Sequence, residues 1–154
     1  MPEPDQPSKL VELGEALASD SRIAWMSITD NPGGNPMIPA DWLGNVLKPS
    51  GKELVIHLTC KDLNRSGLES AAWRYAAEGF DNILALTGDY PVAGYRGQAQ
   101  PVFDLDSVSL ITMLHEMGEG IEVTKPKGKK EQLPKTNFFI GAAVSRFKRQ
   151  EREL

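Results

Sequence analysis

One pattern recurs three times along the chain and constrains its fold more than any other feature. A short apolar run ends in threonine at Thr29, Thr59 and Thr87, with spacings of 30 and 28 residues. Such a spacing is typical of one strand–helix unit. Each threonine is followed within three residues by a carboxylate, and these carboxylates are Asp30, Asp62 and Asp89. The repeat predicts parallel strands joined by helices, with the three threonines at one edge of a sheet.

The segments around these threonines alternate between strand and helix patterns. Strands are predicted at residues 23–28, 54–59, 83–87 and 138–144, because each is a short apolar run bounded by turn residues. Helices are predicted at residues 8–18 and 41–47, after residue 65, and from about residue 107. The strands are apolar on both sides, as in a sheet or barrel covered by helices. The chain is therefore predicted to be an α/β protein with about four parallel βα units.

Local signals add detail at the ends of these elements. Ser66 and Glu69 have the spacing of a capping box, in which each side chain satisfies a free backbone amide of the helix start. Asp104 or Asp106 is expected to cap the helix that begins near residue 107. Residues 1–7 are predicted to be a disordered terminus and residues 125–135 a polar linker, so that the domain covers residues 8–154.

Composition excludes several classes of protein. Of the 154 residues 40% are hydrophobic and 25% are charged, which is typical of a folded domain. The net charge of −4 argues against nucleic-acid binding. The single cysteine excludes an internal disulfide, residues 1–5 lack the basic and apolar regions of a signal peptide, and no apolar stretch approaches the length needed to span a membrane. We therefore expect a cytoplasmic protein that contacts neither nucleic acid nor membrane.

The edge where the strands end is the predicted binding site. Carboxyl ends of parallel strands meet at one edge, where α/β proteins bind their ligands. The alternative is that each Thr and Asp only caps the helix that follows it. His57, two residues before the end of its strand, is either a histidine satisfied within the core or a contact to a cofactor. These residues predict a site for an anionic or aromatic small molecule.

Other kinds of chemistry have weaker support. His57 and Cys60 are close in sequence, but no second cluster completes a metal site, so no metal is predicted. Catalysis by the Cys60 thiolate needs a neighbouring base, and the sequence offers none. The glycine-rich fingerprints of dinucleotide and phosphate binding are also missing from the sequence.

Taken together, several segments resemble the methylenetetrahydrofolate reductase family. The most specific are the sequences His-Leu-Thr-Cys, which begins at His57, and Leu-Thr-Gly-Asp, which begins at Leu86. Residues 27–34, 103–107 and 139–144 resemble neighbouring parts of that family. The resemblance extends from about residue 8 to the end of the chain.

The resemblance implies a (β/α)8 TIM-type barrel that binds FAD. In this family the flavin takes hydride from a nicotinamide cofactor and passes it to 5,10-methylenetetrahydrofolate, giving 5-methyltetrahydrofolate. Asp89 is implied as the catalytic residue, which tunes the flavin and approaches the pterin. The cofactor-binding residues implied by the resemblance are Thr29, His57, Thr59, Thr87, Gly88, Asp89, Phe103 and Asp104.

Two positions and the number of strands depart from the family pattern. Some members have an arginine at the position of Thr87 and an aromatic residue at the position of Asp30. Only four strands are found, so the domain is expected to be a partial barrel. The glutamate that donates a proton to the folate has no counterpart before Ser8, and a lysine on a later strand would follow Leu154.

These departures lead to two functional hypotheses. The first is a fragment or part of a flavin-dependent methylenetetrahydrofolate reductase that is inactive as an isolated chain. The second is a non-catalytic flavin- or folate-binding half-barrel subunit, which pairs with itself or with a complementary chain. An unrelated α/β protein that uses the same strand endings is a third option. The electron donor is left open between NADH, NADPH and a reduced ferredoxin.

Overall fold

The computed structural model describes residues 7–90 and 100–144 of the chain. Residues 1–6 of the predicted disordered terminus 1–7 lie outside these ranges, as does the predicted end of the domain at residues 145–154. For Pro7 the prediction of disorder is wrong, because this residue begins the first helix, where proline is tolerated. Within them, four α-helices alternate with the strands of a central sheet. In chain order the helices are α1 (Pro7–Ser19), α2 (Ala40–Leu47), α3 (Arg65–Glu78) and α4 (Ser107–Glu119). The strands are β1 (Trp25–Ile28), β2 (Glu53–Thr59), β3 (Asn82–Leu86), β4 (Glu122–Thr124), β5 (Lys130–Gln132) and β6 (Phe139–Ala142).

The central sheet has the strand order β1-β2-β3-β6, and every neighbouring pair is parallel. This confirms the prediction of four parallel strands joined by helical crossovers. The register places Ile28 of β1 beside Ile56 of β2, and Ile56 beside Ile83 of β3. The carboxyl ends of the strands therefore meet at one edge of the sheet. The described sheet is compatible with part of a TIM-type barrel.

The two faces of the sheet differ. On β2, Leu54, Ile56 and Leu58 are buried in the core formed with the helices. Since successive side chains of a strand point to opposite faces, Val55 and His57 lie on the other face and are only half-buried. In the described residues the helices therefore cover one face of the sheet, which is one of the arrangements expected from the sequence, that of a barrel wall. Val55 on this second face makes the sequence of β2 look apolar on both sides, although no described helix packs on it.

A small β-hairpin, formed by residues 122–132, overlaps the predicted polar linker of residues 125–135. Strands β4 and β5 pair antiparallel, and Lys127, at the turn between them, has a φ of 73°. The Nζ of Lys130 lies 2.7 Å from Oε1 of Glu122 across the hairpin. Sequence patterning missed these strands because all but one of their side chains are polar or charged, so that no alternation of apolar and polar residues marks them.

The predicted capping box at the start of α3 is wrong. Asn64 is the residue that caps this helix, since its side-chain oxygen accepts a hydrogen bond of 2.9 Å from the backbone amide of Gly67. Ser66 is already inside the helix. At the start of α4, Asp106 caps the helix through a 2.7 Å bond from the amide of Ser109. Of the two alternatives predicted there, Asp106 is thus the cap.

Candidate active site

A cleft of about 360 Å³ lies at the carboxyl edge of the central sheet. All four parallel strands contribute to it through the residues at or just after their ends. Five of the predicted site residues line the cleft: Thr29, Thr59, Thr87, Gly88 and Asp89. The other lining residues are Asp30, Pro32, Lys61, Ala85, Leu86, Ser107 and Ala143. The recurring strand endings are therefore brought together, as their spacing predicted.

A hydrogen bond joins the first two strand ends across the cleft. The hydroxyl of Thr59, which is only 4% exposed, donates to Oδ2 of Asp30 at 2.8 Å. Burial raises the pKa of the Asp30 carboxyl, and the nearby Asp62 carboxylate adds to this effect. The Thr59 hydroxyl and Lys61 act in the opposite direction on the same pKa. Asp30 and Thr59 thus stabilise the site itself rather than a helix start.

Lys61 is a buried cation in the wall of the cleft. Only 1% of the residue is exposed, and its Nζ forms an ion pair with Oδ2 of Asp62. The same oxygen accepts a hydrogen bond of 3.2 Å from Nδ2 of Asn31. Lysine is almost never fully buried unless it is paired, and Asp62 supplies the pair. The second carboxylate of the repeat therefore holds Lys61 in place.

Gly88 lies directly against the Lys61 side chain. Its φ of 88° is in the left-handed region that favours glycine. A Cβ atom at this position would lie 3.0 Å from Cγ and Cδ of Lys61. Backbone conformation and close packing therefore both favour glycine at this position in the cleft wall.

Thr87 links the cleft to the start of α4. Its Oγ1 accepts a hydrogen bond of 3.2 Å from the backbone amide of Ser107, the first residue of that helix. Thr87 thus binds the start of the helix that follows it, as the alternative interpretation of the strand-end threonines predicted, while it also lines the cleft. The same bond places Ser107 at the cleft and brings the amino end of α4 to the site.

His57 lies on the same strand face as Thr59 but is not among the residues that line the cleft. Its Nε2 is 2.7 Å from Oγ of Ser27, at hydrogen-bonding distance. Its buried Nδ1 has no hydrogen-bond partner among the described residues. Burial lowers the pKa of the imidazole, so the neutral ring is favoured. The histidine is therefore only half satisfied by the described protein groups.

Phe103 and Asp104 lie outside the cleft lining. The ring of Phe103 stacks on Tyr90 with centroids 5.8 Å apart. A carboxylate oxygen of Asp104 accepts a 2.7 Å hydrogen bond from the backbone amide of Arg65, the first residue of α3. In the described structure Phe103 thus packs on a loop residue near the site, and Asp104 binds the start of α3.

Cys60 is fully buried, and burial raises the pKa of its thiol to about 11, with a further contribution from Asp106. A thiol with this pKa stays protonated at neutral pH and is a poor nucleophile. The described residues contain no group of three or more His, Cys, Asp or Glu side chains that could hold a metal ion. In residues 7–90 and 100–144, no helix combines the length and apolar character needed to cross a membrane.

Two site residues were missed by the sequence reasoning. Lys61 follows the second strand as one charge among many, and nothing in its neighbours indicates that it is buried. Asp30 was noticed as part of the repeat and as a departure from the family pattern, but was given no role. Its position next to Thr29 was the available signal, because residues after a strand end share an edge with those of neighbouring strands.

A comparison of the sequence with models of protein families identifies the family of the chain. The family model described as methylenetetrahydrofolate reductase matches residues 4–132 of the 154-residue chain. The chain belongs to the methylenetetrahydrofolate reductase family. A comparison with curated proteins found no significant match.

Membership in the methylenetetrahydrofolate reductase family confirms the resemblance seen in the sequence. It implies an oxidoreductase, since members of the family generally bind FAD and act on a folate substrate. The match covers β1 to β3 and the residues of the cleft that follow them.

Proposed function

We propose that the chain takes part in the flavin-dependent reduction of 5,10-methylenetetrahydrofolate to 5-methyltetrahydrofolate. One observation carries this proposal. Five of the residues that the family resemblance assigns to the flavin face line a single cleft, at the sheet edge where α/β proteins bind their ligands. The family match and the geometry of the cleft thus both point to the ends of the parallel strands as the binding site.

The residues of the cleft fit a planar heterocycle. Its volume of about 360 Å³ is near the lower end of the range of roughly 300–1,000 Å³ for small-molecule sites. Such a volume suits the ring system of a flavin or pterin rather than a whole dinucleotide. Ala85 and Leu86 provide apolar surface, and Gly88 lines the same cleft without a side chain of its own. We therefore assign FAD as the cofactor, which when bound supplies hydride transfer between the electron donor and the folate.

The chain's own residues orient and polarise the bound rings. Asp89 is exposed at the cleft and is our candidate for the catalytic residue that tunes the flavin and approaches the pterin. Thr29 and Thr87 line the same cleft with their hydroxyl groups. The protein's part is thus to set orientation and electrostatic field, whereas the hydride chemistry is that of the cofactor.

Three predicted cofactor residues act from outside the cleft lining in this proposal. His57 lies on the same strand face as Thr59, and its buried Nδ1 has no hydrogen-bond partner among the described residues. We therefore assign His57 a contact to the bound cofactor. Phe103 stacks on Tyr90 and Asp104 binds the amide at the start of α3. We assign both residues to the surroundings of the rest of the cofactor. The electron donor is NADH, NADPH or another reductant, and the cytoplasmic setting remains a prediction.

The test uses two preparations of the protein. One is the isolated chain, and the other is the chain purified by a tag from its own host together with any polypeptide bound to it. Each is loaded with FAD, reduced with dithionite and mixed with methylenetetrahydrofolate, while flavin absorbance and the methyl product are followed. We expect flavin reoxidation and product in the native assembly. A flavin-loaded native assembly that forms no methyl product would contradict the proposed reaction.

A second candidate function is supported by the open face of the sheet. Trp25 and Phe139 lie on this face by strand alternation and are 59% and 75% exposed. A half-barrel that binds flavin or folate and pairs with a second copy or a complementary chain would cover this face. We expect the isolated chain to bind flavin without turnover, because the open face leaves one side of the site uncovered. A yellow, inactive native assembly would favour this binding role over the enzyme.

A further inference from the structure

Asn31 lies between two lining residues of the cleft, in a backbone conformation that few residues adopt. Its neighbours Asp30 and Pro32 both line the cleft, whereas Asn31 is not among the lining residues. Its φ of 34° and ψ of 57° lie in the left-handed region. Apart from glycine, this region is visited mainly by asparagine and aspartate, whose short polar side chains can form local hydrogen bonds. A strained residue persists only where its surroundings hold it, so the contacts of Asn31 are informative.

Both ends of the Asn31 side chain form hydrogen bonds. Its Oδ1 accepts a bond of 2.8 Å from the backbone amide of Met37, six residues further along the loop that follows β1. Its Nδ2 donates to Oδ2 of Asp62 at 3.2 Å, and the same oxygen pairs with the Lys61 ammonium. One side chain therefore joins the loop after β1 to the charged pair after β2.

Lys61 depends on this link for its place in the cleft wall. The Lys61 side chain is 2% exposed, but that of its partner Asp62 is 30% exposed, so water competes for the carboxylate. The amide of Asn31 binds the carboxylate oxygen that faces Lys61 and keeps it turned inward. A buried charge that loses its partner is strongly destabilising. Without Asn31, the Lys61 ammonium is therefore expected to move from the wall towards water.

We propose that Asn31 is a positioning residue of the cleft. It acts through Asp62 to hold Lys61 in the cleft wall, and through the Met37 amide to hold the loop that begins at Pro32 beside it. The ligand contacts Pro32 and Lys61, which line the cleft, and does not contact Asn31. The proposal rests on the proposed function only for the identity of that ligand, FAD.

The first test needs no ligand and measures how accessible the Lys61 amine is. The isolated chain is treated with sulfosuccinimidyl acetate, and acetylation of each lysine is followed by mass spectrometry. In the wild type, Lys61 should react far more slowly than Lys9, an exposed lysine of α1. Asn31→Gly suits the left-handed backbone but removes both hydrogen bonds. We expect it to speed acetylation of Lys61 about tenfold, the usual contribution of one hydrogen bond to a charged group.

Hydrogen exchange separates this local effect from a loss of the fold. In Asn31→Gly the Met37 amide should lose its protection, while the amides of the central strand β2 should keep theirs. Asn45→Ala, which removes an exposed amide side chain from α2, is the control and should behave like the wild type in both measurements. Unchanged acetylation of Lys61 in Asn31→Gly overturns the proposal. Loss of protection throughout β2 also overturns it, because Asn31 would then hold the fold rather than the cleft.

The second test measures the effect of Asn31 on the ligand. Titration with FAD is followed by flavin fluorescence, and we expect Asn31→Gly to bind about tenfold more weakly than the wild type, with the same stoichiometry. Asn45→Ala should bind like the wild type. Equal affinities of the wild type and Asn31→Gly overturn the positioning role. A folded wild-type chain that binds no FAD contradicts the proposed function instead, and the acetylation of Lys61 then still decides the role of Asn31.

Discussion

Gly88 is the residue whose replacement should disturb the cleft most directly. Gly88→Ala places a Cβ in a left-handed backbone conformation, which costs about 1–2 kcal/mol, and brings it to 3.0 Å from the buried Lys61 side chain. Gly51→Ala is the matched control, because Gly51 has a φ of 72° with nothing within 4 Å of an added Cβ. In urea unfolding we expect Gly88→Ala to lose more stability than Gly51→Ala. Equal losses would show that Lys61 yields to the methyl group.

His57 should make stability depend on pH. Burial lowers its pKa in the folded state below the ordinary histidine value of about 6.5, so the unfolded chain binds the proton more readily. The free energy of unfolding should therefore fall as the pH drops below about 6.5. We expect His57→Gln to show a smaller decrease between pH 7.5 and pH 5.5 than the wild type.

His115→Gln is the control for this titration. His115 is exposed on α4, and it is the other histidine of the chain. This variant should keep the full decrease in stability at low pH. If His115→Gln removes the decrease and His57→Gln does not, the assignment of the pH effect to the His57 imidazole is wrong.

At the scale of elements, two substitutions at the start of α3 can show which residue caps this helix. Asn64→Ala removes the side-chain oxygen that accepts from the Gly67 amide, and loss of such a cap costs about 0.5–2 kcal/mol. Ser66→Ala changes a residue inside the helix and should have little effect, since alanine is the better helix former. Chemical denaturation of both variants makes the comparison. A larger loss in Ser66→Ala would restore the capping box predicted from the sequence.

The elements show how far the sequence could predict this fold. The four parallel strands were predictable because each is a short apolar run that ends in turn residues. The β-hairpin of residues 122–132 was not, because every pair in it contains a charged residue and its strands show no apolar period. The two faces of β2 were not distinguished, since Val55 and Leu54 look alike in sequence although only Leu54 is fully packed.

The site was predictable only in part for a similar reason. Thr29, Thr59, Gly88 and Asp89 meet at the cleft because strand ends in a parallel sheet must meet. Burial of Lys61 depends on contacts with Gly88 and Asp62, which no local pattern encodes. Phe103 and Asp104 were assigned through the family resemblance alone, and the described structure engages them in a ring stack and at a helix start.

At the scale of the whole molecule, the open face of the sheet should govern how isolated chains behave. Trp25 and Phe139, on the outer strands of the sheet, expose aromatic surface on that face, and exposed apolar patches favour association. We expect the isolated chain to self-associate with rising concentration in sedimentation velocity, and the double variant Trp25→Thr, Phe139→Thr to do so less. Val108→Thr, at an equally exposed valine of α4, should leave association unchanged. An effect of Val108→Thr as large as that of the double variant would contradict a role for the open face.

The central claim is that the cleft at the strand ends is a flavin site, and a fluorescence titration of the isolated chain with FAD tests it most directly. We predict saturable binding of one FAD per chain, weakened about tenfold or more by Gly88→Ala, which corresponds to at least 1.4 kcal/mol of binding free energy. Gly51→Ala should bind like the wild type. A chain that is folded by circular dichroism yet binds no FAD, or that binds it equally well with Gly88→Ala, would contradict the account.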